Sequence, residues 1–219
     1  MENPCPFCLE LNGNNQKVLN YGLTTSILYE GKYWFVVPSV GCFVPGYLLV
    51  VNKLHFPSIA LCSEESYLEL EYIVKVCRNA IWKKYKKTCI LFEHGSSSDI
   101  CNSANSVDHV HLHIVPSNVD LIDSMSKNGA YVIKLENYKE LKKQFNNAPK
   151  SYLFYENANM KKFYTDYNSD IFSSQYFRKV LVDKMNLEVD WNWHNCECQN
   201  LFLQTYNDLI NIIKKYKFK

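Results

Sequence analysis

Asp108-His109-Val110-His111-Leu112-His113-Ile114-Val115-Pro116 places three of the six histidines of the chain on alternate residues of an otherwise apolar run. Alternation is the period of a half-buried strand, in which side chains at i, i+2 and i+4 leave one face. The three imidazoles therefore share a face, while Val110, Leu112 and Ile114 point the other way into a core. A solvated strand face is the competing reading, but like charges set side by side on a sheet repel once the rings are protonated. A row of titratable rings on rigid backbone reads instead as a site.

Working outward, a loop through Asn105 and Ser106 connects this strand to another, Cys89-Ile90-Leu91-Phe92-Glu93-His94-Gly95, which runs into a serine-rich turn at Ser96 to Ser98. The two strands are expected to pair antiparallel. Gly46 to Val51 is a short apolar run suited to a central strand, and residues 26 to 37 read as a hairpin around Glu30-Gly31-Lys32. A helix begins at Ser63, follows Tyr67, Leu70, Ile73, Val74, Cys77 and Ile81, and ends in basic residues from Lys83 to Lys87, where lysines suit a helix C-terminus. Beyond Pro116 the pattern predicts helices around 138–145, 174–185 and 199–216. The fold class is α+β: an antiparallel sheet with a long helix over residues 1–117, then a mostly helical C-terminal extension, 118–219, packed on it.

Composition narrows the function classes. The chain has 219 residues, 47% of them hydrophobic and 15% aromatic, which fits a folded globular protein. A net charge of +2 gives no case for general nucleic-acid binding, so any phosphate recognition is local. No stretch approaches the roughly 20 apolar residues that span a bilayer, and the first residues lack a signal pattern. The reading is a soluble intracellular protein, cytoplasmic or nuclear, in which most of the nine cysteines are reduced thiols or metal ligands. Cys5-Pro6-Phe7-Cys8 has the spacing of two thiols turned toward one tetrahedral metal, or of a redox pair. His194-Asn195-Cys196-Glu197-Cys198 is read as incidental, and Trp191 and Trp193 as core or interface.

The histidine pattern at 109 to 115 resembles the signature of the histidine triad family of nucleotide hydrolases and transferases. Pro45-Gly46-Tyr47-Leu48-Leu49-Val50, with Lys53 and His55, is similar to that family's Pro-Gly-His segment, with Tyr47 and Asn52 where the family has His and Pro. The resemblance covers about residues 3 to 117. Glu93-His94-Gly95, Ser174-Gln175-Tyr176-Phe177-Arg178-Lys179 and Asp190-Trp191-Asn192-Trp193 resemble a larger, zinc-containing branch.

The resemblance implies a structural Zn2+ held by Cys5, Cys8, His55 and His109, with His111 as nucleophile toward the α-phosphorus of a nucleotide. It further implies that His113 and Ser106 act beside His111, and that Asn105, His94, Ser96 and Arg178 meet the substrate; for Arg178 a salt bridge is the alternative. The expected substrate is a nucleotide or dinucleotide, cleaved at a phosphoanhydride or phosphoramidate, and a homodimer is the usual assembly. The alternative function is a protein that binds a nucleotide or an RNA end and uses the triad for recognition. One feature favours it: the acidic residue with which relatives hold the ribose hydroxyls is not evident in Val36-Val37-Pro38-Ser39-Val40.

Overall fold

In the computed structural model, which describes residues 5–96, 107–147, 151–196 and 198–217, the chain opens with two short helices, α1 (Pro6–Leu11) and α2 (Gln16–Asn20). Pro6 suits the first position of α1, where its missing N–H would have had no partner. The expected hairpin follows as β1 (Tyr29–Glu30) and β2 (Trp34–Pro38). Its turn is pinned by the buried Glu69 carboxylate, which accepts from the Lys32 N–H at 2.8 Å and the Tyr33 N–H at 2.6 Å. That carboxylate occupies the space a side chain at Gly31 would need.

Gly46, with φ +85°, turns the chain into β3 (Leu48–Asn52). The long helix α3 (Glu64–Tyr85) starts where expected, the Ser63 hydroxyl accepting from the Ser66 N–H at 3.2 Å. Strands β4 (Cys89–Gly95) and β5 (His111–Pro116) pair antiparallel, and β5 also pairs with β3, so the histidine strand is central.

Past residue 117 come α4 (Ile122–Met125), β6 (Ile133–Leu135), α5 (Tyr138–Asn147), β7 (Tyr152–Glu156), β8 (Lys162–Asp166), α6 (Tyr176–Lys184) and α7 (Gln199–Ile213). The three expected helices are α5, α6 and α7. Three strands were not foreseen: β7 pairs with β4, and the sheet runs β1-β2-β3-β5-β4-β7-β8-β6, so strands on both sides of residue 117 belong to one sheet. Tyr152 to Glu156 is buried at every position, which removes the alternation that would have announced a strand.

Both faces of the sheet are covered. Val110, Leu112 and Ile114 pack toward Leu70, Ile73, Cys77 and Ile81 of α3, as their alternation predicts. The opposite face, which carries the histidines, lies under Phe177 and Leu181 of α6 and Phe202 of α7. Cys196 and Cys198 are joined by a disulfide, an exception within the expectation that most of the cysteines are thiols or metal ligands. Their Cα atoms lie 5.6 Å apart, within bridging range, while Cys5, Cys8, Cys42, Cys62, Cys77 and Cys89 are free. Among the described residues no helix is long and apolar enough to cross a membrane.

Candidate active site and metal cluster

One turn of α1 brings Cys5 and Cys8 against the start of the histidine strand. Cys5 Sγ lies 3.3 Å from His109 Nδ1, and Cys8 Sγ lies 3.6 Å from the same atom and 3.4 Å from His55 Nδ1. The four ligand atoms all fall within 4.8 Å of one another. A tetrahedral zinc with ordinary Zn–S and Zn–N bonds sets sulfur and nitrogen about 3.6 Å apart, so the donor set fits that ion.

The outer contacts agree. His109 Nε2–H donates to the Asn52 carbonyl at 2.7 Å, leaving the Nδ1 lone pair toward the thiols. Burial pushes His109 down to about 4, which keeps it in the neutral, ligating form. The Cys8 thiol is pushed up to about 11 by burial and then by Cys5, a penalty on its thiolate that a bound cation removes. The four residues predicted as ligands are thus brought together.

His111 and His113 leave β5 on one face with ring centroids 4.8 Å apart. His111 Nδ1–H donates to the His109 carbonyl at 2.6 Å, so the lone pair sits on Nε2. Removal from water lowers the His111 pKa, opposed by that carbonyl and assisted by the Arg178 charge. The imidazole is therefore neutral near pH 7.

His113 is held by a chain reaching across the molecule. Arg178 Nη1–H donates to the Tyr47 oxygen at 3.3 Å, and that hydroxyl lies 2.7 Å from His113 Nδ1. With one lone pair taken by the guanidinium, the hydroxyl gives its proton to Nδ1, and His113 carries its own hydrogen on Nε2. Burial pushes the Tyr47 phenol up to about 12, so it stays a donor. The His113 ring stacks on Phe92 at 4.3 Å, and burial, followed by the nearby His111, His94 and Arg178, holds its pKa well below the usual histidine range. The two rings thus present opposite faces of imidazole chemistry: a lone pair at His111 and an N–H at His113.

These rings line a cleft between the sheet, α1 and the C-terminal segment. Arg178 is 3% exposed and lines it. The guanidinium donates to the carbonyls of Trp191 at 2.8 Å and Gly41 at 2.7 Å as well as to Tyr47, so all three partners are neutral oxygens. Asp190 feels its charge but forms no ion pair with it among the described residues. Gly41 must be glycine, because an added Cβ would strike Trp193 and the Arg178 guanidinium. Gln175, in the left-handed region at φ 57°, opens α6 and clasps the tryptophan turn through Asn192 and the Trp193 N–H.

Other expected residues fare differently. His94 lines the cleft, but its Nε2 accepts from the Phe177 N–H at 3.4 Å, and burial, His111 and Arg178 push it down to about 3. Ser96 is fully buried, is not among the lining residues, and donates its backbone N–H to Pro57 at 3.3 Å. Asn105 and Ser106 lie outside the described residues, although the next residue, Val107, lines the cleft. Trp193, read as core or interface, lines it too. Tyr47 was visible in the sequence only as a departure from the family pattern; its partners lie 66 and 131 residues away.

A neutral imidazole with its lone pair on Nε2 and a donor imidazole lie side by side on the central strand of an antiparallel sheet. Residues 22–119 match the model of the HIT domain, so this segment carries a histidine triad domain. The match spans His55, His94 and the three triad histidines; Cys5, Cys8 and Arg178 fall outside it. Similar solved structures include a hypothetical histidine triad nucleotide-binding protein from Sulfolobus tokodaii, 24% identical, covering 52% of this chain and 68% of that one, TM-score 0.39. A zinc-bound histidine triad family protein from Mycobacterium smegmatis is 17% identical, covering 66% and 97%, TM-score 0.40. A HIT family protein from Bacillus anthracis is 18% identical, covering 68% and 100%, TM-score 0.43. No curated protein matches the chain.

Proposed function

We propose that the protein is a nucleotide hydrolase or nucleotidyl transferase that acts through a covalent nucleotidyl-His111. The observation that carries this reading is the 2.6 Å bond from His111 Nδ1 to the His109 carbonyl, which leaves Nε2 as a lone pair in the cleft. Attack by Nε2 forms a P–N bond at the α-phosphorus while the bond to the leaving group breaks; a phosphoanhydride leaves as phosphate, a phosphoramidate as amine after gaining a proton. Water or another acceptor then displaces His111, so one hard substitution becomes two easier ones.

His113 Nε2–H would donate to the nonbridging oxygens, and the Arg178 charge, which has no carboxylate partner among the described residues, would favour the phosphate. By the family resemblance, Ser106 would donate to phosphate or leaving group and Asn105 would stand beside it. His94, whose Nε2 is already used, shapes the wall as a neutral ring rather than contacting phosphate. Cys5, Cys8, His55 and His109 would hold a structural zinc with four protein ligands and no open position for water.

The test is a panel of dinucleoside polyphosphates, capped RNA fragments, nucleoside phosphoramidates and adenylated nucleic acid. Release of a monophosphate, and acid-labile labelling of the protein that disappears in His111→Asn, is the expected result. Turnover that survives His111→Asn would overturn the mechanism; binding without turnover by the wild type would favour the recognition role.

A further inference from the structure

Charge is divided unevenly over the chain. Segments 75–87 and 206–217, from the second half of α3 and the second half of α7 onward, hold nine of the 24 lysines and arginines and one of the 22 acids, Asp208. A formal +8 on these segments leaves −6 for the rest of a chain whose total is +2. The fold sets the two segments side by side. α7 lies antiparallel to α3: the Tyr85 hydroxyl donates to the Asp208 carboxylate at 3.0 Å, and the Tyr72 hydroxyl donates to the Lys217 carbonyl at 3.0 Å. Lys214 to Lys217 therefore sit alongside the turn that carries Lys75, and Lys83 to Lys87 continue the line. Tyr72 and Tyr85 are separated by about 20 Å of helix, which sets the length of the basic ridge.

Arg78 is turned inward to the Cys89 carbonyl and Glu156, and Lys84 bridges Asp208 at 2.6 Å. The other seven lysines are exposed and form no ion pair among the described residues. Cations suit a helix C-terminus, which accounts for part of this. It does not account for Lys75 in mid-helix, nor for Lys86 at φ +55°, where glycine would be the more stable residue. Large rings also stand among the charges: Trp82 is 55% exposed, two turns after Lys75 on the same outward face, and Tyr216 is 37% exposed between Lys215 and Lys217.

Exposed rings between free lysines match the chemistry of a single strand, whose phosphates take the ammonium groups and whose base faces take the rings. The net negative remainder of the chain limits the width of the ligand. A duplex or a membrane plane would lay its own negative charge against that remainder, whereas a single strand can follow the ridge alone. We infer that α3 and α7 carry a binding track for a single-stranded nucleic acid. α3 packs on the sheet face opposite the histidines, so the track needs no role for His111 and stands apart from the hydrolase proposal.

The test titrates the full chain, by fluorescence anisotropy, with labelled single strands of RNA and of DNA of about 12 nucleotides and with a duplex of the same length, and by co-sedimentation with phosphatidylserine-containing vesicles. With about four or five phosphates contacted, affinity for the single strands should fall roughly 50- to 130-fold between about 50 and 200 mM salt. Lys83→Glu, Lys87→Glu, Lys214→Glu and Lys215→Glu together should weaken binding about tenfold or more and flatten that slope. Trp82→Ala should weaken it about fivefold or more with the slope unchanged, and this exposed position keeps the test readable if the fourfold variant does not fold. RNA and DNA should bind alike, because ammonium groups and ring faces do not read the 2′-hydroxyl. The track is overturned if the wild type binds no single strand at about 50 mM salt, if the lysine substitutions leave affinity intact, or if RNA and DNA are strongly discriminated. Full affinity in Trp82→Ala, or tighter binding of duplex or vesicles than of single strands, overturns the single strand as occupant.

Discussion

At one end of the histidine row, His109 meets two half-buried thiols and the exposed His55, close to solvent; at the other, His113 is enclosed by Tyr47, Phe92 and the buried Arg178. The first end is a set of four ligand atoms whose arrangement suits a cation from outside. The second satisfies itself: a guanidinium with three neutral oxygen partners, a phenol and an imidazole in series, with the charge already built in. Placed between them, His111 owes its orientation to the first through the His109 carbonyl and its lowered pKa in part to the second through Arg178. With a metal bound, the same strand would be held by coordination on one side and by hydrogen bonding on the other, so the two ends should fail under different insults.

The largest effect is expected from the cation end. Chelation, or Cys8→Ser, should lower the melting temperature by roughly 6–12 °C, about 3 kcal/mol for a chain of this size. Added zinc should restore the chelated wild type but not the variant; a melting curve indifferent to chelator would show that the cluster holds no ion.

A smaller effect is expected at the other end, and chelator should not reproduce it. Tyr47→Phe leaves His113 Nδ1 and one Arg178 N–H unpaired, costing about 1–3 kcal/mol of stability. Turnover should fall roughly 10- to 100-fold with KM little changed, because the lost bond fixes the hydrogen that faces the developing charge. Tyr47→His, the residue the family resemblance places there, should recover part of the rate, and equal kcat for Phe and Tyr would break the relay.

The mildest difference is one of pH. His94 and His113 are held neutral in the fold but take protons near pH 6.5 when unfolded. The unfolded chain therefore binds more protons below about 6.5, and stability should fall as pH drops from there toward the folded values, which for His94 is about 3. The slope is at most about 1.4 kcal/mol per pH unit for each proton. Denaturant titrations at a series of pH values should show it, and His94→Gln should remove its share.

The histidine strand, the first hairpin and α3 were legible because each obeys a local period: Val110, Leu112 and Ile114 alternate, and Leu70, Ile73, Val74 and Cys77 recur at helical spacing. The metal ligands were legible only through family resemblance, since nothing local joins Cys5 to His109 across 104 residues. Tyr152 to Glu156 hid its strand by being buried on both faces, and Tyr47 hid its role because its meaning depends on Arg178. Local patterns carry strands and helices, whereas a site is a coincidence of distant residues.

One consequence follows from where the cleft walls arise along the chain. Phe7 and Glu10 precede the segment that matches the HIT domain, and Gln175, Arg178 and Trp193 come long after it. Synthesis proceeds from the first residue to the last, so the triad strand is made well before the guanidinium that must reach Gly41 and Tyr47 exists. Until that late segment docks, His113 lacks its polarised phenol and the cleft lacks a wall. A growing or truncated chain can therefore hold every triad histidine without the finished cleft, whose last wall arrives only with the polypeptide's final third.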